Sequence, residues 1–473
     1  MPGITLNNPG DRTKDRMTKE ATEKVVQRWE EEMNDGDFCE ILDLQCLVYE
    51  PQGAHVICSF LKEKVSKVRV AHLNDIIATL ETTDGLAVLR KFNDLLKDSP
   101  LEEVILDDNA LGTRGVTECS DILSRPTLTK ISLQNVGLPA ESMTDLKEAL
   151  TKECDTESNG NMHMQTNQKQ TCVCDNLKEA WFYNNMSGEG GAKEQGKILE
   201  RCRNLKLWRY VGCRAGEQGT HYLAQGLLEM SNHWNGLEQL MLEASVGSTK
   251  DDPLGVMCQA LAKLTSLTHI TLYDCSLEHS GTKMVLQSLQ HIENQLVKLN
   301  LSQNEITALT INKLVPFVKN NISTLRVLNL ESNEMTSIGV ERLMEGIREA
   351  DSDVALEELL LTDNIIGTRG AEALIAARDC MPNLKKLALD DNGIPDDVVD
   401  LLRESYGEVI VPFSEDYSFE YDMDDDIDDE EEDDDEDEEE DDDEDDGDAK
   451  GGGLDELIQG MGKVRLSPED VSL

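Results

Sequence analysis

From Leu296 onward, apolar residues return on a fixed beat. "LVKLNLSQNEI" begins at Leu296, "LRVLNLESNEM" at Leu325, "LEELLLTDNII" at Leu356 and "LKKLALDDNGI" at Leu384. Inside "LNL" and "LLL" the apolar residues alternate with an outward-facing one, the period of two of a half-buried strand. Glycine-containing turns follow, such as "GTRG" at 112–115 and 367–370 and "GEGG" at 188–191. Then come stretches such as "VERLMEGIREA", whose apolar spacing predicts a helix.

The shared pattern is L-x-x-L-x-L-x-x-N-x-L, the leucine-rich repeat. Further copies begin at Leu101, Leu128, Leu177, Leu205, Leu237 and Leu267, and two worn ones at Cys39 and Val65, making twelve. The spacing is mostly 27–32 residues, enough for a full helix per repeat. Units of this kind stack into a solenoid. The predicted fold is therefore α/β: a horseshoe with a parallel sheet on its concave face and helices on its convex face. The repeat domain is expected over 36–412.

The asparagine of the pattern belongs to the fold, because its buried amide bonds turn backbone. It is Asn109, Asn185, Asn304, Asn333, Asn364 and Asn392, with Cys213 or Cys275 elsewhere. In "ISLQNVGL" (131–138) that slot holds Val136, and Asn135 stands one step before it. With the slot filled, the Asn135 amide is expected at the rim. In the next copy Asn184 likewise precedes slot residue Asn185. A rim asparagine is either solvated or used by a partner, and the repeat pattern leaves both open.

Departures from the period locate insertions. Leu128 to Leu177 spans 49 residues, which predicts a polar surface loop over 151–175. The interval from Val65 to Leu101 is also long, with "ATLETTDG" (78–85) as the expected insertion. Residues 1–35 read as a charged arm or helical cap, since "TKEATEKVVQRWEEEM" has helical spacing. Residues 413–450 read as a disordered acidic tail, and 451–473 as a short terminal segment.

Charge sharpens the choice of partner. There are 95 acidic and 44 basic residues, a net charge of −51. Of the 35 residues from Ser414 to Asp448, 27 are Asp or Glu. A chain this acidic lacks the cationic footprint for nucleic acid; basic proteins are the natural partners. The opening residues lack an apolar core, and no run approaches the roughly 20 apolar residues of a membrane span. The twelve cysteines are then free thiols in a reducing compartment, and the sequons at Asn185, Asn300 and Asn321 are without consequence. The chain is expected to be a cytoplasmic monomer.

Other chemistry is thin. Cys172 and Cys174 have no C-x-x-C partner and read as loop or core thiols, so no metal is expected. The eight histidines show neither ligand nor triad spacing. "SGEGGAKEQG" fails the phosphate-loop patterns and falls in a repeat turn. On the strand face, Trp181 and Arg209 should point outward from adjacent strands. They are either an interface anchor or a cation–π stack that only covers surface.

Three segments carry a family resemblance: "LDDNALGTRG" (106–115), "SLQNVGL" (132–138) and "WFYNNMSGEGG" (181–191). With long repeats followed by an acidic block, they resemble the GTPase-activating protein of the nuclear-transport GTPase Ran. The plant branch is the most similar, through "NNMSG" and "WRYVGCRAG" (208–216), although 1–35 is too short for that branch's targeting domain. The resemblance covers roughly 36–448. It implies an activator that supplies no arginine finger and has no substrate chemistry of its own. An asparagine, here Asn135, would hold Ran's own glutamine against the attacking water. Asp107, Asp108, Gln134, Trp181, Tyr183, Asn184 and Arg209 would form the GTPase-binding surface. GTP and Mg²⁺ would be the partner's, so the chain needs no cofactor. Nucleocytoplasmic transport would be the setting, with docking at the nuclear envelope and Ran-binding proteins or basic transport factors as further partners of the tail. One departure stands out: the basic pair of the fungal members aligns with Leu80 and Thr82. Either the chain would bind Ran weakly or nearby Lys62, Lys64 or Lys67 would serve instead.

Two other readings fit the pattern. One is a non-catalytic, ribonuclease-inhibitor-like scaffold. The other is an acidic leucine-rich chaperone of histones, whose repeats would be shorter.

Overall fold

The structure, a computed structural model, describes residues 4–7, 16–32, 38–153, 171–243, 253–292 and 294–414. These lie in one structural unit, 1–427. The acidic tail, the terminal segment and most of the 151–175 insertion fall outside the described residues.

All twelve copies form. Each contributes one strand, from Cys39–Asp43 to Lys386–Ala388. Ile4–Asn7 adds a strand in front, giving a sheet of thirteen in sequence order. Every neighbouring pair is parallel, because a helix or helical turns carry the chain back between strands. The core fills the space between sheet and helices. In a typical copy Leu296, Leu299 and Leu301 are fully buried. The N-terminal segment is a cap: helix Lys19–Glu32 buries Val25 and Trp29 against helix Pro51–Leu61, and Trp29 meets the Phe60 ring at 6.0 Å.

Slot asparagines tie each copy to the one before it. Asn304 Nδ2 donates to Leu272 O at 2.8 Å, and its Oδ1 accepts from Cys275 N at 3.1 Å. Asn333 Oδ1 in turn accepts from Asn304 N and Ile306 N, each at 3.0 Å. Asn304→Ala leaves a carbonyl and an amide unpaired in the core. Each such group costs about 1–3 kcal/mol. A fall of that order in the unfolding free energy, read from a urea titration, is expected.

Two expectations need correction. The second copy begins at Val68, not Val65: Val68, Ala71 and Leu73 are the buried positions, and Ala71 pairs with Leu42 and Val104. Its intervals are then 29 and 33 residues. "ATLETTDG" is thus no free insertion, since helix Thr82–Leu96 starts inside it. Nor is the end of the 151–175 segment surface loop: Cys172, Val173 and Cys174 are buried in the core. The hydrogen bond with Cys174, and then burial, push the Cys172 thiol well above its ordinary range; Cys174 is lowered by its bond with Cys172 but raised further by Cys202 and by burial, so it too stands well above.

Candidate functional site

The residue before the slot has a left-handed backbone in all eleven copies where that residue is described. These are Cys46, Asp75, Asp108, Asn135, Asn184, Gly212, Asp274, Gln303, Ser332, Asp363 and Asp391, with φ between 49° and 68°. Asparagine, aspartate and glycine tolerate that conformation best. Asn135 (φ 53°) therefore has not strayed from the slot; it fills a different, equally regular position. Backbone bonds carry the row from copy to copy: Asp108 N to Gln134 O, Asn135 N to Tyr183 O, and Asn184 N to Val211 O.

This row runs along the rim at the carboxyl ends of the strands, and Asn135 is exposed there. Its amide is ordered by two neighbours. Asn135 Nδ2 donates to Asp108 Oδ1 at 3.0 Å, and Asn184 Nδ2 donates to Asn135 Oδ1 at 3.0 Å. Asp75, one copy earlier, is raised above the ordinary carboxylate range by burial and by the charge of Asp108. Slot residue Val136 cannot bond through its side chain. Its N–H is instead taken by Asn185 Oδ1 at 3.1 Å.

A second network lies beside the row on the sheet face. Asp107, almost buried, accepts from Ser132 Oγ at 2.7 Å, Gln134 N at 2.8 Å and Gln134 Nε2 at 3.0 Å. Gln134 Oε1 accepts from Arg209 Nη1 at 3.3 Å. The Arg209 guanidinium lies 4.5 Å from the Tyr183 ring centroid and 5.9 Å from that of Trp181. Arg209 is thus partly covered rather than free. Trp181 Nε1 donates to Glu179 Oε2 at 3.2 Å. Lys130 reaches Glu103 at 3.0 Å, and hydrogen bonds from His72 and Lys130 hold Glu103 below the ordinary carboxylate range.

All eight candidate residues therefore meet on three consecutive copies and the one after, in two adjoining networks. Met186 was not singled out by sequence. It is 62% exposed, next to Tyr183 at 41%. Its place in the repeat is one step past the slot: it follows Asn185, where other copies place Ala110, Gly137 or Glu305.

The loop of Leu80 and Thr82 is different. Leu80 packs against the core and Thr82 opens a helix, so neither offers a side chain equivalent to a basic pair. Lys62, Lys64 and Lys67 precede strand Val70–His72, on the side where the chain enters the sheet, whereas Asn135 follows the end of its strand; Lys64 and Lys67 lie over the Phe60 and Phe38 rings. A cation that does reach this loop is Arg16, whose Nη2 donates to Thr79 O at 3.4 Å.

Among the described residues no His, Cys, Asp or Glu cluster could hold a metal, and no helix is long and apolar enough to cross a membrane. A family model described as "Leucine Rich repeat" matches residues 321–344. The fold is a leucine-rich repeat solenoid. Over 288 residues the chain is 25% identical to ribonuclease inhibitor of Sus scrofa, across 53% of this chain and 61% of that protein. The chain thus spans about six-tenths of that relative's length. Among solved structures, the yeast Rad7–Elc1 complex has a chain that aligns at a TM-score of 0.41 and 14% identity, over 84% of this chain and 93% of that one. A Bacteroides fragilis protein aligns at 0.32 and 13%, over 70% and 78%.

Proposed function

We propose that this chain activates GTP hydrolysis by a Ran-type small GTPase, working by position rather than by charge. One observation carries the reading: the Asn135 carboxamide stands exposed at the rim, held on both sides by hydrogen bonds. Phosphoryl transfer to water needs the nucleophile oriented and developing charge met. A neutral, fixed amide can do the first by steering the partner's glutamine. GTP and Mg²⁺ arrive with the partner. Asp107, Gln134, Trp181, Tyr183 and Arg209 form the ground on which the partner rests. Arg209 is not a finger in this scheme, because Gln134 and two rings hold it on the sheet face.

The test is single-turnover phosphate release from a GTP-loaded Ran-type GTPase. Addition of the full chain should raise the rate by orders of magnitude. No stimulation, with binding retained, selects the second reading. In that reading the solenoid is a scaffold that binds a protein, a view favoured by its similarity to a protein named as an inhibitor of ribonuclease.

Contact energy should concentrate at exposed Tyr183 and Met186. Tyrosine and arginine are among the residues enriched at interface hot spots, and here Arg209 lies against the Tyr183 ring. Tyr183→Ala is expected to weaken binding by roughly 10–100-fold, about 1.4–2.7 kcal/mol, in a titration calorimetry experiment. The unfolding midpoint should hardly move.

A further inference from the structure

The two ends of the Asn135 carboxamide are not interchangeable. An ionised carboxylate only accepts hydrogen bonds. Asp108 therefore draws the NH₂ end of Asn135, through the 3.0 Å contact to Nδ2. The carbonyl end is left for Asn184, whose Nδ2 donates to it at 3.0 Å. Backbone bonds at Asp108, Asn135 and Asn184 fix the spacing of the three.

We infer that Asp108 and Asn184 are positioning residues that set the direction of the Asn135 amide, and with it the chemistry of what can dock there. A carboxamide has two N–H groups and two carbonyl lone pairs. The row uses one of each. What remains is one donor on the Asp108 side and one acceptor on the Asn184 side. That edge complements another carboxamide, bound with its oxygen toward Asp108 and its nitrogen toward Asn184. A carboxylate from the partner would meet the acceptor without a proton and the charge of Asp108 beside it. A lysine or arginine would find an acceptor but no use for the donor. The site thus selects a neutral glutamine or asparagine side chain. This rests on the proposed activation of a GTPase that contributes such a group.

The test exchanges the flanking residues. In Asp108→Asn the amide loses its acceptor-only neighbour and can turn over. In the double variant Asp108→Asn with Asn184→Asp, the row keeps its charge and both bonds but reverses, so Asn135 presents its donor on the other side. Selective ¹⁵N-asparagine labelling reads the Asn135 side-chain resonance directly. The Nδ2 protons should shift in the single variant. In the double variant they should again show a carboxylate-bonded proton, while stimulated phosphate release, read at saturating GTPase, stays at least 10-fold below wild type. An unchanged Asn135 resonance in both variants overturns the assignment. So does full activity in the double variant, which would mean that charge alone matters. If the wild-type chain stimulates no GTPase, the proposed function fails by itself, and the resonance still decides the direction of the row.

Discussion

Replacing Asn135 by alanine should lower stimulated GTP hydrolysis by about 100-fold and leave the complex intact. The size follows from the task. A group that positions a nucleophile without contributing charge acts through orientation, and misplacement by about an ångström costs on the order of 10²-fold, or about 2.7 kcal/mol of barrier. An arginine finger is worth more, about 10³–10⁵. A loss near 10⁵ would mean that Asn135 does something other than orient. The fold should tolerate the change: Asn135 is exposed, and its backbone bond to Tyr183 O does not need the side chain. Its φ of 53° suits alanine less well than asparagine, so a stability loss of roughly 1 kcal/mol is expected. Phosphate release under single turnover and affinity by calorimetry separate the two effects. Affinity lost in parallel with rate would make Asn135 a contact residue only.

Most of the solenoid was legible because its signals repeat. Leucines at fixed offsets and a slot asparagine identify a strand without reference to anything distant, and ten of the twelve copies begin with Leu. The second copy was misplaced by three residues because Val65, Val68 and Val70 are all valines, so the offset pattern fits two registers. Only the pairing of Ala71 with Leu42 and Val104 separates them. Asn135 was rightly placed at the rim but for an incomplete reason. The left-handed row accepts Asp, Asn, Gly, Ser, Gln and even Cys, so no single letter marks it. Met186 and Arg16 were missed because exposure and long-range approach are set by neighbours in space.

A large loss of stability is expected from Gly226→Ala. Helices Gly188–Arg201 and Gly216–Ser231 pack closest where Gly226 meets Gly196. A Cβ on Gly226 would lie 2.4 Å from Gly196 O and 2.6 Å from Gly196 Cα. Both are backbone atoms, so no side chain can rotate away; the helices must separate. Overpacking typically costs about 1–3 kcal/mol, and more where nothing yields. A cost above about 3 kcal/mol is expected here. Gly393→Ala is the comparison: its φ is +62° with open space around it, so strain alone should cost roughly 1 kcal/mol. In a solenoid, stability is a sum of copies and the interfaces between neighbours. Weakening one internal interface should therefore broaden or split the urea transition, which a simple loss within one copy would not do. The consequence reaches the site. These two helices back the strands Glu179–Tyr183 and Leu207–Val211, which hold Tyr183 and Trp181 against Arg209. Gly226→Ala should thus weaken partner binding from the far side of the repeat, while Gly393→Ala leaves it unchanged. Equal urea midpoints for the two variants would show that the helix contact has room the geometry denies.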